Sequence, residues 1–507
     1  MENSQLELQK SNIKTIIEQL IDNGEYGEAK AVIAQYDAII ENDDTIFYYK
    51  AIISVMENSL DRAVEILQEG LSINPYNPQL CDMLGEIYDS KGYTESAEYF
   101  YGKALQSTTD STMVERIKNR LNELNREPYN HSEKLISFVV LAYNQLEYTK
   151  LCVDSIYTYC AHLNFELITV DNGSSDETSK YFLALPNQKK ISLRRNMNGS
   201  AGANNAFKIA SGKYVASITN DIILTRHAID NLIQCLESDD KIGMIVPVCN
   251  ASSNMQMIPV TFENVWQMQR YATGFNYYDP LKWEERVRLI TYMAVIPNTL
   301  LKRIGGCDEV NFPCAFNDDD ISFRIRRLGF KLILAKDTFV YHFGSVTLRN
   351  TGDMTNNTIA LYRERFIKVH GIDSWTEAIF DVEMLNKLKI GKRKDKISIL
   401  GIQPDCGATV LQIKNILKAK GFKDVSITNY VDNKRFVSDL KSISNEVICD
   451  TLENMDNHLN GRRYDYIVIC KTLNELKLGK NCDMFMNHLE NHLQYGGQLL
   501  YRMNNQN

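Results

Sequence analysis

Apolar runs of strand length alternate with helix-length segments through the middle of the chain. The runs lie at 135–141, 165–170, 214–218 and 242–246, and the segment 146–160 separates the first two. A largely uninterrupted apolar run is typical of a strand that is buried on both faces of a parallel sheet. The succession of strand, helix and strand therefore predicts an α/β domain with a mainly parallel sheet.

The N-terminal region follows a different pattern, which recurs every 34 residues. Ala29, Ala63 and Ala97 stand 34 residues apart, and Gly70 and Gly85 add further small residues to the second and third copies. Small side chains at such points let the two helices of a hairpin approach closely, while apolar side chains fill the seam between hairpins. The spacing therefore predicts a stack of helical hairpins.

This pattern resembles the tetratricopeptide repeat, with three copies over about residues 10–111. The middle copy departs from the family, because Lys50-Ala51 stands where the family prefers Leu-Gly. An unrelated helical bundle is the alternative. Arrays of this kind bury a core by stacking repeats on one another, and the resemblance implies a peptide or protein partner. Because such an array packs mainly on itself, we expect its removal to expose little of the rest of the chain.

Two changes of composition divide the chain further. The segment 112–134 is charged and then loop-like, which predicts a linker. A charged stretch at 392–396 precedes a new apolar run at 397–400. The expected domains are a helical repeat array at 1–111, an α/β domain with a helical tail at 135–390, and a third domain at 391–507.

Composition and charge narrow the class of protein. The chain has 507 residues, 44% of them hydrophobic, and a net charge of −8. This length implies about three domains, and the negative balance argues against a general nucleic-acid binder, which needs a basic surface. No run approaches the roughly 18 apolar residues of a membrane span, and the N-terminus lacks the apolar core of a signal peptide. Eleven singly scattered cysteines indicate reduced thiols, so we expect a cytoplasmic protein.

Polar residues follow the apolar runs at 135–141, 165–170 and 214–218 and a further strand predicted before residue 196, at the sheet edge where open parallel sheets bind ligands. They lie at 142–144, 171–176, 196–205 and 219–221. The third group, NMNGSAGANN, is rich in Gly and Ala and leads into a helix, where backbone groups could meet the phosphates of a ligand. Each group alone has the composition of an ordinary turn. Four in succession favour a binding site.

Seven ordered segments between about residues 134 and 345 resemble family 2 glycosyltransferases with the GT-A fold. The nearest members are the rhamnosyl-, galactosyl- and N-acetylglucosaminyl-transferases. The segments read SFVVLAYNQLEYTKLCVDSI, ELITVDNGSSDET, NMNGSAGANNAFKIASGKYV, ITNDIIL, GGCDEVNF, NDDDISFRIRRLGFK and VYHFGS. The resemblance implies a Rossmann-like, nucleotide-sugar-binding domain that takes its sugar from a nucleotide-diphosphate donor.

The resemblance assigns donor binding to the strand ends. Asp171 corresponds to the aspartate that hydrogen-bonds the nucleotide base, usually uracil, and Ala142 and Asn144 shape the same pocket. The other matching donor-binding positions are Gly199, Gly202, Asn205 and Asn220.

A metal site is implied by two further segments. Thr219-Asn220-Asp221 matches the DxD motif that holds a divalent cation, although Asp221 is its one remaining carboxylate. Mg²⁺ or Mn²⁺ can be held by one carboxylate together with diphosphate oxygens. His342 matches a family histidine that often completes the metal shell, although a lone histidine at a strand end is more often a structural donor. A histidine ligand favours Mn²⁺ over Mg²⁺.

The acidic run that begins at Asn317 aligns with the family motif Glu-Asp-x-Asp. Its second position, Asp318, matches the catalytic base, since inverting displacement needs a carboxylate to take the proton of the acceptor hydroxyl. Asn317 replaces the family's Glu. The alternative is a helix N-terminal charge cluster favoured by the macrodipole, and we expect Asp320 to have such a part, facing Arg324.

An insertion at about 250–297 is rich in Met, Tyr and Trp. In the family this region borders the acceptor side. Its aromatic side chains could stack on a sugar, grip a peptide or pack in the core, and the sequence leaves these alternatives equal.

The third domain resembles the Rossmann-like S-adenosylmethionine methyltransferases at residues 397–409. Gln403-Pro404 stands where that family places Gly, and Pro removes a backbone donor. The strand that ends near Thr428-Asn429 lacks the acidic residue that normally holds ribose hydroxyls. We therefore expect an inactive methyltransferase-like domain that does not bind S-adenosylmethionine.

Together these interpretations predict a bacterial, cytoplasmic, inverting and metal-dependent glycosyltransferase that modifies Ser or Thr of a protein. The repeats upstream of the catalytic domain favour a protein acceptor, and the arrangement resembles flagellin O-glycosyltransferases. UDP-N-acetylglucosamine is the expected donor because Asp171 favours uridine, although no residue reads the sugar. The alternatives are a polysaccharide or lipid-linked-glycan glycosyltransferase whose repeats dock a membrane partner, and a non-catalytic binding scaffold.

Overall fold

Helices precede the first strand of the chain. The computed structural model describes residues 2–40, 42–124, 136–186, 189–344, 355–391, 394–476, 478 and 482–502. The helices of the first part are α1 (Glu2–Asp22), α2 (Tyr26–Asp37), α3 (Ile46–Met56), α4 (Leu60–Ile73), α5 (Pro78–Ser90), α6 (Thr94–Ser107) and α7 (Ser111–Glu123).

These helices pack as successive hairpins, α1 on α2, α3 on α4 and α5 on α6. Ala29, Ala63 and Ala97 have no exposed surface. Gly70 marks one close approach, because a Cβ atom there would lie 2.7 Å from the side chain of Leu80. The 34-residue spacing thus corresponds to a helical hairpin array; its kinship with the tetratricopeptide repeat stays a prediction.

The predicted linker is helical over its first half. Helix α7 covers Ser111–Glu123, and Ile117 on this helix is fully buried. Its basic side chains pair with the acidic face of α5, with Arg120 2.7 Å from Glu86. The charges that suggested a linker therefore serve a helix–helix contact, and residues 125–134 lie outside the described part of the chain.

A nine-stranded sheet forms the middle of the chain. Its strands are β1 (Ile136–Ala142), β2 (Phe165–Asp171), β3 (Lys189–Ser192), β4 (Tyr214–Thr219), β5 (Ile222–Ile223), β6 (Ile242–Cys249), β7 (Trp283–Arg286), β8 (Met293–Pro297) and β9 (Lys331–His342). The order is β3-β2-β1-β4-β8-β6-β9-β5, with β7 also paired to β9.

The sheet is mixed, which corrects the prediction of a mainly parallel sheet. Strands β1 to β4 pair in parallel, and so do β6 and β9. Strand β8 runs antiparallel to both β4 and β6, and β5 and β7 run antiparallel to β9. The prediction was wrong because a strand covered on both faces is equally apolar in either direction, so the pattern does not report direction.

Helices cover the sheet on both sides. They are α8 (Leu146–Tyr159), α9 (Thr178–Ala184), α10 (Gly199–Ile209), α11 (Ala228–Ser238), α12 (Val265–Phe275), α13 (Asn298–Ile304) and α14 (Asn317–Arg327). Two further helices, α15 (Asn356–His370) and α16 (Val382–Asn386), follow β9 and pack in the core that is shared with the last part of the chain. The side chains of the aromatic insertion at about 250–297 differ in burial. Met268 and Trp283 are buried, and the indole nitrogen of Trp283 donates to Asp337 at 2.8 Å, whereas Tyr277 and Tyr278 are exposed.

The helical array packs firmly on α8. Lys103 on α6 pairs with Asp154 on α8 at 2.7 Å, and the rings of Tyr99 and Tyr157 stack with their centroids 4.0 Å apart. Gln68 donates to the carbonyl of Thr158 at 2.5 Å. The array packs mainly on itself, as expected. Side chains of α4 and α6 also cover α8, so the expectation that removal of the array exposes little of the rest of the chain is wrong.

A five-stranded sheet makes the last part of the chain. Its strands are β10 (Lys396–Ile402), β11 (Asp424–Val431), β12 (Glu446–Cys449), β13 (Tyr464–Ile469) and β14 (Leu493–Tyr501), and its helices are α17 (Ala408–Ala419), α18 (Val437–Lys441), α19 (Met455–Leu459) and α20 (Cys482–Asn491). The order β12-β11-β10-β13-β14 and the parallel pairing are those of a Rossmann-like sheet.

One detail of this domain corrects the sequence analysis. Strand β11 continues to Val431, so Asp432 directly follows it. The acidic residue that was missing after Asn429 is therefore present three positions later. The apolar pair Tyr430-Val431 is fully buried and extends the strand. Residues 392 and 393 of the charged stretch before β10 lie outside the described residues.

Among the described helices, none combines the length and the apolar character that a membrane crossing requires.

Candidate active site

The ends of β1 and β2 are tied together by side chains. Ala142 and Asp171 are register partners at these ends. Oδ1 of Asp171 accepts a hydrogen bond from the backbone of Ser174 at 2.9 Å, and the backbone N–H of Asn144 donates to the Ser174 hydroxyl at 2.8 Å. The Asn144 side chain accepts from Ser175 at 2.7 Å. Asp171 and Asn144 thus stand in one polar cluster at the carboxyl edge of the sheet.

Asn220 joins this cluster from β4. Its side-chain nitrogen donates to the Thr149 hydroxyl at 2.9 Å and lies 3.4 Å from the carbonyl of Asn144. Asn220 is buried. Its amide group therefore holds the loop before Asp221 against α8 and the end of β1.

Two backbone donors of the Gly/Ala-rich segment are bonded within the protein. Gly199 and Gly202 lie within helix α10, whose first donors are already bonded inside the protein. The N–H of Ser200 donates to the Pro313 carbonyl at 3.1 Å, and that of Ala201 donates to the Asn198 side chain at 2.9 Å. The donor-binding part of Gly199 and Gly202 stays a prediction.

Packing explains the composition of α10. A Cβ atom on Gly202 would lie 2.7 Å from Leu141 of β1, so a glycine lets the helix approach the sheet. The side chain of Asn205 donates to the carbonyl of Ala201 at 2.9 Å, one turn back along the same helix. Asn205 therefore stabilises α10, and the sequence pattern did not distinguish this role from ligand binding.

Asp221 and His342 lie side by side. The sequence does not show this, because the two residues belong to separate motifs. Both are buried, and Nε2 of His342 lies 3.3 Å from Oδ2 of Asp221. Nδ1 of His342 lies 2.6 Å from the carbonyl of Ala251, so Nδ1 carries a proton. Burial alone would lower the pKa of His342, but its hydrogen bonds and the charge of Asp221 raise that pKa to about 10.

These two side chains fit a divalent cation. Adjacent ligands on an octahedral ion with bonds of about 2.1 Å are separated by about 3 Å. Hydrogen bonding at Nδ1 directs Nε2 toward Asp221, as is usual for a histidine ligand. In the described residues no cluster of three or more His, Cys, Asp or Glu suits a metal. Asp221 and His342 are thus a two-residue set that leaves positions for oxygen ligands of a substrate.

The acidic triplet at the start of α14 is divided among different partners. Asp319 pairs with Arg288 at 3.0 Å, and both side chains are buried. Asp320 accepts from Arg324 at 2.9 Å and from His370 at 3.0 Å. Within the part of the chain that the structure describes, Asp318 makes no ion pair. Two of the three carboxylates are therefore neutralised, and Asp318 is left available.

Asp318 has the environment of a general base. The Thr291 hydroxyl donates a hydrogen bond to its Oδ1. Burial raises the pKa of the Asp318 carboxyl to about 6, the charge of Asp319 adds to the rise, and the Thr291 hydrogen bond opposes it. A carboxylate of this kind is ionised near neutral pH and more basic than an exposed one, as base catalysis requires.

Residues 291 and 292 connect the two halves of the site. Thr291 binds Asp318, while the ring of Tyr292 stacks on His342 with centroids 5.4 Å apart. The carbonyl of Tyr292 accepts two hydrogen bonds from Thr219, two residues before Asp221, each at 3.1 Å. Asp318 and His342 are thus contacted by two consecutive residues, Thr291 and Tyr292. Sequence analysis missed both residues and Arg288, because the stretch before β8 matches no motif.

Comparison with known proteins gives a match over the middle of the chain. Residues 137–294 match the sequence profile of Glycosyl transferase family 2. This match lies within the middle of the chain and supports a glycosyltransferase domain there.

The relatives resemble this domain and not the whole chain. An uncharacterized glycosyltransferase of Rickettsia bellii (strain RML369-C) is 23% identical over 170 residues, which are 29% of this chain and 24% of the relative. The Escherichia coli protein named UDP-Glc:alpha-D-GlcNAc-diphosphoundecaprenol beta-1,3-glucosyltransferase WfaP is 31% identical over 114 residues, which are 21% of this chain and 43% of that protein. The chain thus spans less than half the length of either curated relative.

A solved structure of GalNAc-T7 with UDP, GalNAc and Mn2+ superposes with a TM-score of 0.37 at 12% identity, over 57% of this chain and 56% of the other.

Proposed function

We propose that this chain is an inverting, metal-dependent glycosyltransferase that moves a sugar from a UDP-sugar to a hydroxyl of a protein. The observation that carries the proposal is the link between Asp318 and the pair Asp221–His342 through Thr291 and Tyr292. An unpaired carboxylate of raised pKa and a cation site on one peptide are what displacement at an anomeric carbon needs.

The donor end is the polar cluster of Asn144 and Asp171. In the proposed complex the carboxylate of Asp171 accepts a hydrogen bond from the uracil N–H, and Ala142 and Asn144 form the wall of the base pocket. Asp171 is held for this by its bond from Ser174 at 2.9 Å. UDP-N-acetylglucosamine is the donor we propose.

Asp221 and His342 would hold a divalent cation, which neutralises the charge of the departing diphosphate when it is bound. The protein itself supplies the orientation. Asn220 holds the loop, and the paired bonds from Thr219 to the Tyr292 carbonyl fix the strand end.

Asp318 acts as the base. It takes the proton of the acceptor hydroxyl while that oxygen attacks the anomeric carbon from the face opposite the leaving diphosphate, so the configuration inverts. Asp319 and Asp320 cannot replace it readily, because Arg288, Arg324 and His370 already neutralise them.

The acceptor is proposed to be a protein bound by the helical array, with a flagellin as the named candidate. The contacts that fix the array on α8 support this. Lys103, Tyr99 and Gln68 hold α8, and Thr149 of the same helix contacts Asn220 beside Asp221. An acceptor bound to the array would therefore stand at a constant distance from the donor.

A second candidate acceptor is a lipid-linked glycan. The observation that favours it is the name of the Escherichia coli relative, which specifies a diphosphoundecaprenol-linked acceptor for that protein. In this case the array would dock a membrane-bound partner.

Intact-mass spectrometry of a flagellin co-expressed with this chain tests the proposal. We expect a mass increase of whole hexose or N-acetylhexosamine units, and none with the matched variant Asp318→Asn. An unmodified flagellin together with sugar transfer to extracted lipid-linked glycans would favour the second candidate. The purified protein could also hydrolyse no UDP-sugar in the presence of Mn²⁺ and transfer no sugar to either acceptor. That result would favour the alternative of a non-catalytic binding scaffold.

A further inference from the structure

Helix α14 carries Asp318 at its first turn and meets the C-terminal domain at its last turn. Asp439, on α18 of that domain, is fully buried. Its carboxylate accepts two hydrogen bonds from Arg327 of α14, from Nε at 3.0 Å and from Nη2 at 2.9 Å. A bidentate guanidinium–carboxylate pair fixes direction as well as distance. The pair therefore orients the end of α14 relative to the C-terminal domain.

Arg326 adds a second tie beside the first. It is 1% exposed and is one of the largest fully buried side chains of the described residues. It donates to the carbonyl of Asp439 at 2.7 Å and to that of Val287 at 3.0 Å. Val287 is the neighbour of Arg288, which pairs with Asp319. Arg326 of α14 thus joins the C-terminal domain to the segment 287–288, which faces the acidic turn of α14.

A polar relay continues from Arg327 to the acidic turn. Nη1 of Arg327 lies 3.2 Å from Nδ1 of His370, and Nε2 of His370 lies 3.0 Å from Oδ1 of Asp320. Since a guanidinium only donates, Nδ1 accepts and Nε2 carries the proton toward Asp320. The relay therefore reads Asp439, Arg327, His370, Asp320, and it ends two residues from Asp318.

We propose that Asp439 of the C-terminal domain is a positioning residue for Asp318, acting through this relay. The inference rests on the proposed function of Asp318 as the base. It gives the Rossmann-like domain a task that needs no ligand of its own, namely to hold the first turn of α14 where the acceptor hydroxyl arrives. A displacement of about 1 Å at a reacting group can cost about 100-fold in rate.

The test compares Asp439→Asn with the matched control Asp450→Asn. Asp450 pairs with His458 at 2.9 Å, and its hydrogen bonds among the described residues stay within the C-terminal domain. We expect Asp439→Asn to lower kcat about tenfold or more, with the KM for the UDP-sugar unchanged, because the donor cluster lies at the ends of β1 and β2. Asp439→Glu, which keeps the charge, should recover part of the loss, and Asp450→Asn should retain wild-type kcat.

Hydrogen exchange gives a readout that does not require activity. We expect the amides of residues 317–322 to exchange faster in Asp439→Asn than in the wild type, and at the wild-type rate in Asp450→Asn. Should Asp439→Asn fail to fold, His370→Phe interrupts the same relay while keeping a ring on Phe366, whose centroid is 4.4 Å from that of His370.

The outcomes separate the inference from the function on which it rests. A folded Asp439→Asn or His370→Phe with unchanged kcat and unchanged exchange at 317–322 overturns the positioning role. Absence of any transfer or hydrolysis by the wild-type protein contradicts the proposed function instead. In that event the exchange measurement still decides whether Asp439 holds the first turn of α14.

Discussion

Thr291 donates a hydrogen bond to Oδ1 of Asp318, and this contact joins the strand segment before β8 to the first turn of α14. The hydroxyl stabilises the ionised carboxylate, because hydrogen bonding to a charged form favours that form. It also restrains the side chain of Asp318. The contact is therefore central to both the orientation and the basicity of the proposed base.

Removing that hydroxyl should change the pH dependence. The pKa of Asp318 is raised to about 6 while Thr291 lowers it. Because the base must be ionised, activity should fall as the pH drops through about 6 and level off above it. In Thr291→Val the pKa of Asp318 should rise further, so the fall in activity on the acid side should move to higher pH. Thr291→Ser keeps the hydroxyl and should keep the wild-type pH profile. The measurement is kcat as a function of pH. If kcat of Thr291→Val falls at the same pH as in the wild type or at a lower one, the assignment of Asp318 as the base is contradicted.

The three neighbouring aspartates should respond differently to the change to Asn. Asp318→Asn should lower kcat by about 10²–10⁴-fold without lowering the melting temperature, while calorimetry still shows UDP binding. Asp319→Asn should instead destabilise the protein by about 3 kcal/mol, because it leaves the buried Arg288 without its partner. Activity and thermal melting of both variants check this. An inactive, fully stable Asp319→Asn beside an active Asp318→Asn would identify Asp319 as the base.

Loss of metal should abolish turnover through Asp221 and His342. Asp221→Asn and treatment with EDTA should each reduce donor hydrolysis to near the uncatalysed rate, and added Mn²⁺ should restore the EDTA-treated wild type but not the variant. His342→Gln should have a less severe effect and weaken metal binding, seen as a higher Mn²⁺ concentration for half-maximal rate. Full activity in EDTA is incompatible with the proposed pair.

The contact between the array and α8 should contribute measurable stability. Lys103 and Asp154 are largely buried, with side chains 8% and 15% exposed, so Lys103→Met should cost about 3 kcal/mol. The matched control is Lys91→Met, whose partner Asp61 is 93% exposed, and which should cost less than about 1 kcal/mol. Denaturant unfolding of the two variants makes the comparison. Equal losses would mean that the interface pair contributes no more than a surface pair.

The C-terminal domain should show no heat of S-adenosylmethionine binding by titration calorimetry. Its loop after β10 is covered from the catalytic side, where the N–H of Cys406 donates to the carbonyl of Glu377 at 3.0 Å. Lys471 pairs with Asp405 across the same loop at 2.8 Å. Asp432, which follows β11, is a carboxylate that could bind a ligand there, so micromolar binding that Asp432→Asn removes would make the chain bifunctional.

Much of this arrangement follows from the sequence alone. The apolar runs locate β1, β2, β4 and β6 to within a few residues, because burial on both faces demands a continuous apolar stretch. The 34-residue spacing of Ala29, Ala63 and Ala97 predicts the hairpins, because close helix contacts demand small side chains. Polar residues lie at the strand ends because a strand that is buried on both faces is apolar along its length.

What the tertiary structure alone decided is which of these residues are available for chemistry. Asp318, Asp319 and Asp320 are alike in sequence, and they differ because Arg288, His370 and Thr291 reach them from other elements. Gly202 serves packing because Leu141 lies against it. Strand direction, the seat of the array on α8 and the tie from Asp439 to α14 likewise depend on contacts between distant segments. The local sequence pattern predicts burial and secondary structure. The hydrogen-bond and ion-pair partners of a side chain come from residues that are distant in the sequence, and the local pattern does not contain them.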